Sequence, residues 1–410
     1  MTFSHKPSVR EIPRDRLDTR TDEEILESLR NPLPVTSERN VWTFWDKGLG
    51  DIPSWTRRNI INWARRLPKE WNIYVLDIVP GSPLNVDNFL DKSNFYTAFN
   101  NRTIGGLNSG VWYSDIIRLA SLHTHGGVWV DSGIILMRDF SQDIWQQLED
   151  PNSPYEIAGF SADIAPVPDN DNIASWFIAA RKGSPFMKQW NRVLKHIWDT
   201  PLGEEGDERE RRDYHGLSTH PLFRQVKKQR VKVDHQAKYK VDPVAFNDYL
   251  HTYLSCKRVR MTVDAAAGWD GPAWWESHAM ILPLRESYLT YLMTDFSGLR
   301  QFELLSAQRD VPPPQRGADW QAAEELVQAL IRTCCNVKLS HGLKTTKNMH
   351  VATLWEKDEY VDYDVKEGTF AAYLRWASLH LEQVDRPLEP FDVPTTGTKI
   401  HADLLEEVEE

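Results

Sequence analysis

Residues 111–136, VWYSDIIRLASLHTHGGVWVDSGIIL, leave the chain little choice of architecture. Over 111–125, Ile116, Ile117, Leu119, Ala120 and Leu122 recur with helical spacing, which predicts a helix with an apolar face. Gly126-Gly127 ends it, and Val128-Trp129-Val130-Asp131 then reads as a buried strand of β-branched and aromatic residues. Ser132-Gly133 releases the chain before Ile134-Ile135-Leu136 extends again. Upstream, VWTFW at 41–45 predicts a strand running into Asp46-Lys47-Gly48, Ser54–Arg66 a helix and Trp71–Leu76 a second strand. Strand, helix, strand is the unit of a parallel sheet with a right-handed crossover. Further strands are expected at Ala158-Gly159-Phe160 and Trp176–Ala180, with a helix from Pro185 to about Trp198.

The flanks differ in character. Thr21 caps an expected short helix to Arg30, and Asn31-Pro32-Leu33-Pro34 breaks the chain after it, so residues 1–35 read as an N-terminal extension. GEEGDERERRD at 203–213 is nearly all charge and reads as a solvated insertion, about 201–215, in a core spanning 36–300. Asp310-Val311-Pro312-Pro313-Pro314 marks a break within 301–410, where helices are expected at roughly 318–334 and 367–384, before an acidic tail ending EEVEE.

Composition excludes several classes. A formal net charge of −11 argues against a nucleic-acid partner, whose affinity rests on neutralising phosphates. No apolar run has the length of a signal peptide or membrane span, which predicts a cytoplasmic protein without a transmembrane segment and an unglycosylated Asn101-Arg102-Thr103. Three cysteines, Cys256 and the adjacent Cys334 and Cys335, form neither a disulfide framework nor a zinc site. Seventeen tryptophans suit sugar rings and bases, but the plainer reading of any one is core packing. There is no Gly-x-Ser-x-Gly elbow, Walker loop or His-Glu-x-x-His, and Gly48-Leu49-Gly50 is followed by Asp51-Ile52-Pro53, so the dinucleotide fingerprint fails.

Asp115 and Arg118, three apart on the helix, share a face, and Asp131 ends the strand that follows. Open α/β sheets bind ligands outside the carboxyl ends of their strands, so the three charges can converge on one ligand. A nucleotide-sugar matches them: its hydroxyls donate to carboxylates, and its diphosphate suits a guanidinium. The plainer alternative is an i,i+3 surface ion pair beside a strand-ending aspartate.

The block SDIIRLASLHTHGGVWVDSGIIL resembles the signature of glycosyltransferase family 32 and the capsular polysaccharide synthesis proteins: Ser-Asp-x-x-Arg, an aliphatic helix, Gly-Gly, a strand, then Asp-x-Asp. The large clostridial glucosylating toxins share that arrangement. VWTFWDKG, SWFIAARKGSPFMKQW, WDGP and KLSHG resemble further pieces, so the likeness spans roughly 38–345. It implies an α/β fold of GT-A type, Rossmann-like, with helical additions; a nucleotide-diphosphate sugar donor, UDP-sugar favoured; and transfer with retention. By position, Ser114, Asp115 and Arg118 would hold the sugar, Asp131 would reach ribose and a Mn²⁺ or Mg²⁺ ion, and Phe44 and Trp45 would flank the base. Trp129 and Asn172 would lie nearby, with Ser175-Trp176-Phe177 standing where the family has Asn-Trp-Phe.

Gly133 replaces the second aspartate of the motif, so a hard cation loses an anionic ligand. Three readings follow, in this order: Asp131 holds the metal with other groups such as Ser340, the metal is dispensable, or the protein binds without catalysing. The closing segment at 336–345 offers Lys338 and His341 to neutralise a departing diphosphate, although a histidine in a loop serves many purposes. On the acceptor side, Asp270 of WDGPAWW would orient a hydroxyl and Trp274 or Trp275 would stack on the acceptor; equally, the two indoles start a helix and bury themselves. Family members that extend secreted glycans carry a membrane anchor, so a small-molecule or lipid-like acceptor is favoured over a protein-bound glycan. Two other functions remain open at this point: a non-catalytic nucleotide-sugar binder, and the same scaffold adapted to another ligand.

Overall fold

The computed structural model describes residues 8–106, 108–162, 172–200, 217–227, 248–339, 350–384, 386–390 and 399–408. The expected insertion at 203–213 lies outside them.

Strand β1 (Ser8–Glu11) pairs antiparallel with a strand near the other end of the chain, Leu381–Val384. The first helix, Asp22–Arg30, carries a reciprocal capping box: Glu24 N–H donates to the Thr21 hydroxyl, and the Glu24 carboxylate accepts from Thr21 N–H. Strand β2 (Asn40–Phe44) is buried throughout, and β3 (Asn72–Leu76) lies parallel to it across the helix Ser54–Arg66. The helix Ser109–His125 then turns through Gly126 into β4 (Gly127–Val130), which lies parallel to β2 on its other side. Gly127 has φ +108°, and a Cβ there would lie 2.4 Å from the Asn40 carbonyl oxygen, so only glycine lets β4 enter beside β2.

After β5 (Ile134–Leu136), β6 (Ile157–Ser161) and β7 (Ile173–Ala180) form an antiparallel pair, and β7 lies antiparallel to β4. Strands β8 (Thr262–Asp264) and β9 (Trp269–Asp270) belong to a small separate sheet, whereas β10 (Ala279–Leu282) joins the main one parallel to β6. The six-stranded order is β10-β6-β7-β4-β2-β3, mixed because β7 alone runs against its neighbours.

Alternating residues of the sheet feed two cores. Trp42, Tyr74, Leu76 and Trp129 pack with the helices Ser109–His125 and Pro185–Asp199, while Val41, Val75, Val128 and Val130 pack with Ser54–Arg66 and Asp22–Arg30. Period-two burial on both faces explains why these strands read as continuous apolar runs. Most tryptophans, including Trp42, Trp55, Trp63, Trp145 and Trp190, are core, so the indole count reports packing and not sugar contacts. All three cysteines are buried and free. Among the described residues no helix is long and apolar enough to cross a membrane.

A third core joins the helices Gly298–Ser306, Ala318–Thr333 and Phe370–His380 to β5 and β11 (Asn336–Lys338). The helix expected over 367–384 is shorter, because Leu381–Val384 extends as β12 to pair with β1. Arg375, 9 % exposed, fastens this core to the helix Ser54–Arg66: it pairs with the fully buried Asp364 at 2.8 Å and donates to the Trp55 carbonyl and to Asn59. Asn59 in turn donates to the Ser132 carbonyl at 2.8 Å, holding the turn after β4.

His251, fully buried, has a defined tautomer. The Trp198 indole N–H can only donate, so His251 Nε2 accepts from it at 3.2 Å, and Nδ1 donates to the Asp248 carbonyl at 2.8 Å. Burial holds the His251 pKa below 6.5, outweighing Asp115 and Asp248, and burial likewise lowers His123 and His125. A depressed folded pKa contributes stability that is complete above 6.5 and lost as pH falls through the folded value. The urea midpoint should therefore drop between about pH 7 and about pH 5, and His251→Gln should flatten that slope; an equally steep profile in the variant would assign it to other groups.

Candidate functional site

Asp131 follows directly on β4, at the carboxyl edge of β2, β3 and β4, and its N–H donates to the Trp176 carbonyl of β7 at 2.9 Å. Its Oδ1 accepts from Trp129 Nε1 at 2.8 Å and Arg118 Nη2 at 3.3 Å, and its Oδ2 accepts from Lys338 Nζ at 2.7 Å. Arg118 reaches it from the preceding helix, and also donates to Asp115 Oδ1 at 2.6 Å and to the Ser114 hydroxyl at 3.4 Å. The remaining Asp115 oxygen accepts from Thr252 at 2.6 Å. The guanidinium lies over the Trp129 ring, 4.9 Å from its centre. Two carboxylates and two cations thus form one balanced cluster.

Exposure grades its members. The Asp115 and Arg118 side chains are 6 % and 4 % exposed, Lys338 is 11 % and Asp131 26 %. Asp131 is therefore the member that opens most to a ligand. Burial opposes charge on Arg118, but Asp115 and Asp131 outweigh it and raise its pKa. Burial likewise pushes Asp131 up, yet the charges of Lys338 and Arg118 and the hydrogen bonds from Lys338 and Trp129 hold it below the ordinary carboxylate range.

Ser114, Asp115, Arg118, Asp131 and Lys338 come together, and Phe44, two residues beyond the paired Trp42, ends its strand at the level of Asp131. Trp45 follows it half-buried, its N–H bonded to the Leu76 carbonyl. Asn172 lies on the same edge, just before β7. Trp129 departs from expectation: at 1 % exposure it cannot touch a ligand, and its indole instead fixes Asp131. Asp115, with both oxygens engaged by protein donors, orients Arg118 from behind.

Asp270, Trp274 and Trp275 are not brought to this cluster. Ala279 pairs with Ile157, Ile157 with Ala180 and Ala180 with Gly127, so the helix Gly271–His278 that runs into Ala279 lies at the Gly127 edge, opposite Asp131. There Asp270 caps its helix by accepting from Ala273 N–H at 3.0 Å, Trp274 stacks on Phe186 and His278, and Trp275 is buried. Ser340 and His341 lie outside the described residues.

Other neighbours gave no signal in the sequence. Thr252 is 137 positions from Asp115. Tyr253, one residue on, accepts from the Ser175 N–H and hydroxyl, and burial raises its pKa to about 12, so its phenol stays protonated. Trp176 donates to the Ser287 hydroxyl, stacks on Tyr288 at 5.0 Å and lies 5.9 Å from Lys338 Nζ.

A mixed sheet with an Asp-Arg-Asp-Lys cluster at the carboxyl edge of its parallel strands has the form of an α/β ligand-binding scaffold, and comparison with known proteins specifies which. Residues 3–204 match the family described as capsular polysaccharide synthesis protein. The chain is 37 % identical to O-glycosyltransferase braB of Annulohypoxylon truncatum over 385 residues, covering 92 % of this chain and 88 % of that protein. It is 37 % identical to glycosyltransferase afumC of Aspergillus fumigatus over 387 residues, covering 93 % and 95 %. O-glycosyltransferase PaGT of Phomopsis amygdali is 34 % identical over 398 residues, with 95 % and 93 % covered. The chain belongs to this family of glycosyltransferases related to capsular polysaccharide synthesis proteins, and it is a transferase.

Position 133 tests the packing around Asp131. A Cβ on Gly133 would lie 2.3 Å from the Leu339 carbonyl oxygen, a backbone atom held by β5–β11 pairing. Gly133→Ala should therefore cost about 1–3 kcal/mol in urea unfolding. A neutral result would mean that the segment after β11 yields freely.

Proposed function

We propose that this transferase moves a sugar from a nucleotide-diphosphate sugar, a UDP-sugar in preference, to a hydroxyl of a small-molecule acceptor, on a fold of GT-A type and with retention. The observation that carries the reading is the Arg118–Asp131–Lys338 bridge: a partly exposed carboxylate between two cations at the carboxyl edge of the sheet. That edge is where open α/β sheets take nucleotides, and Phe44 ends β2 beside it, with Trp45 next in the chain. Two of the relatives are named O-glycosyltransferases, which fits an oxygen acceptor.

In the proposed reaction the bond between the anomeric carbon and the β-phosphate oxygen breaks, with the electron pair leaving on the diphosphate. The acceptor oxygen forms the new bond on the same face and passes its proton to the departing phosphate oxygen. Arg118 and Lys338 stabilise the negative charge that develops there, and Asp131 fixes both cations before the donor arrives, so little reorganisation is needed at the moment of reaction. Ser114 and Asp115 set the guanidinium.

Arg118→Lys and Asp131→Asn should each lower the rate of UDP release from UDP-glucose or UDP-galactose by at least about 100-fold, with the folded state verified by circular dichroism. Calorimetric titration with UDP and GDP identifies the base. Full activity in both variants would move the donor site elsewhere.

A further inference from the structure

The resemblance to metal-dependent enzymes calls for a divalent cation on Asp131, and the residues present do not fit one. Mn²⁺ or Mg²⁺ takes about six oxygen ligands and favours anionic ones. Of the two described carboxylates of the cluster, Asp131 is the one with appreciable exposure, and each of its oxygens already faces a cation: Arg118 on Oδ1, Lys338 on Oδ2. Position 133 contributes no ligand and has no room for one. The Leu339 carbonyl fills the space that a side chain would enter, with the Trp55 ring 3.7 Å from the same Cβ position. Among the described residues no group of three or more His, Cys, Asp and Glu side chains gathers to hold a metal ion.

The obstruction and the lysine arrive on one piece of backbone. Strand β11 pairs antiparallel with β5, Lys338 opposite Ile134, and Leu339 N–H donates to the Gly133 carbonyl at 2.8 Å. Leu339 is 1 % exposed, so this register is anchored in the third core. The pairing that excludes a carboxylate at 133 therefore also delivers an ammonium to Asp131 Oδ2. We infer that Lys338 is the built-in cation of the donor site, holding on Asp131 the place of the divalent metal and binding the diphosphate without it. An ammonium has three donors; Asp131 accepts one, which leaves two for phosphate oxygens. Unlike a metal ion it cannot be chelated away, and its arrival requires no loading step.

The inference rests on the donor-site reading above, and its test separates the two. UDP, with GDP in parallel, is titrated calorimetrically into the full chain after dialysis against EDTA, and again with Mn²⁺. The electron paramagnetic resonance signal of free Mn²⁺ is followed as protein is added. Lys338 as the cation predicts a UDP affinity unchanged within about twofold by EDTA and an undiminished Mn²⁺ signal. Lys338→Met should weaken UDP at least about tenfold, with Lys338→Arg recovering part of the loss, as expected for a charge-assisted hydrogen bond. UDP binding that vanishes in EDTA and returns with Mn²⁺ would overturn the inference and leave the donor site standing, as would a folded Lys338→Met that binds UDP as tightly as the parent. Failure of both UDP and GDP to bind under either condition would overturn the donor reading and this one with it. Should Lys338→Met not fold, the EDTA and Mn²⁺ measurements on the parent chain decide.

Discussion

A guanidinium on a side chain only 4 % exposed must be paired, and most of what surrounds Arg118 follows from that requirement. Removing one partner from a buried ion pair costs several kcal/mol, because the charge left behind has neither water nor a counter-ion. Arg118 is therefore fastened twice, to Asp115 one helical turn away and to Asp131 across the Gly126-Gly127 turn. Each carboxylate is itself fastened, by Thr252 on one side and by Trp129 and Lys338 on the other. Each charge of the cluster thus meets an opposite one away from the apolar core, while Arg118 Nε is left without a hydrogen-bond partner.

The part of this arrangement that lies within one stretch of chain was readable. The Ser109–His125 helix, the glycine turn and β4 are local consequences of periodicity and of two residues without side chains, and they bring Asp115, Arg118 and Asp131 into register. Thr252 and Tyr253 were not readable, because nothing in HTYLSC marks a residue that will meet a helix formed long before it in the chain. Lys338 was singled out through resemblance, while its contact with Asp131 depends on β5–β11 pairing, a non-local register that no periodicity reveals. The WDGPAWW segment misled for a related reason. Its composition suits a sugar site, but strand direction decides which edge a loop occupies, and β10 takes it to the far one.

Helices after the sheet do more than cover it. Through Arg375, Asp364 and Asn59 they hold the Ser132 carbonyl, and through β11 they supply Lys338. The site is thus shared between the sheet and the helical region, and neither builds it alone. Such a construction makes the relative position of the two a determinant of the electrostatics at Asp131.

The 207 positions between Asp131 and Lys338 also set an order of events during synthesis. Domains fold as they emerge, at about 5–20 residues per second, so roughly ten to forty seconds separate the two residues at the ribosome. Until Lys338 arrives, Asp115, Arg118 and Asp131 together carry an excess of one negative charge at the future binding edge. Closure of β11 onto β5 neutralises it. A chain stalled before residue 336 therefore lacks the balancing ammonium and carries the strand edge of β5 uncovered.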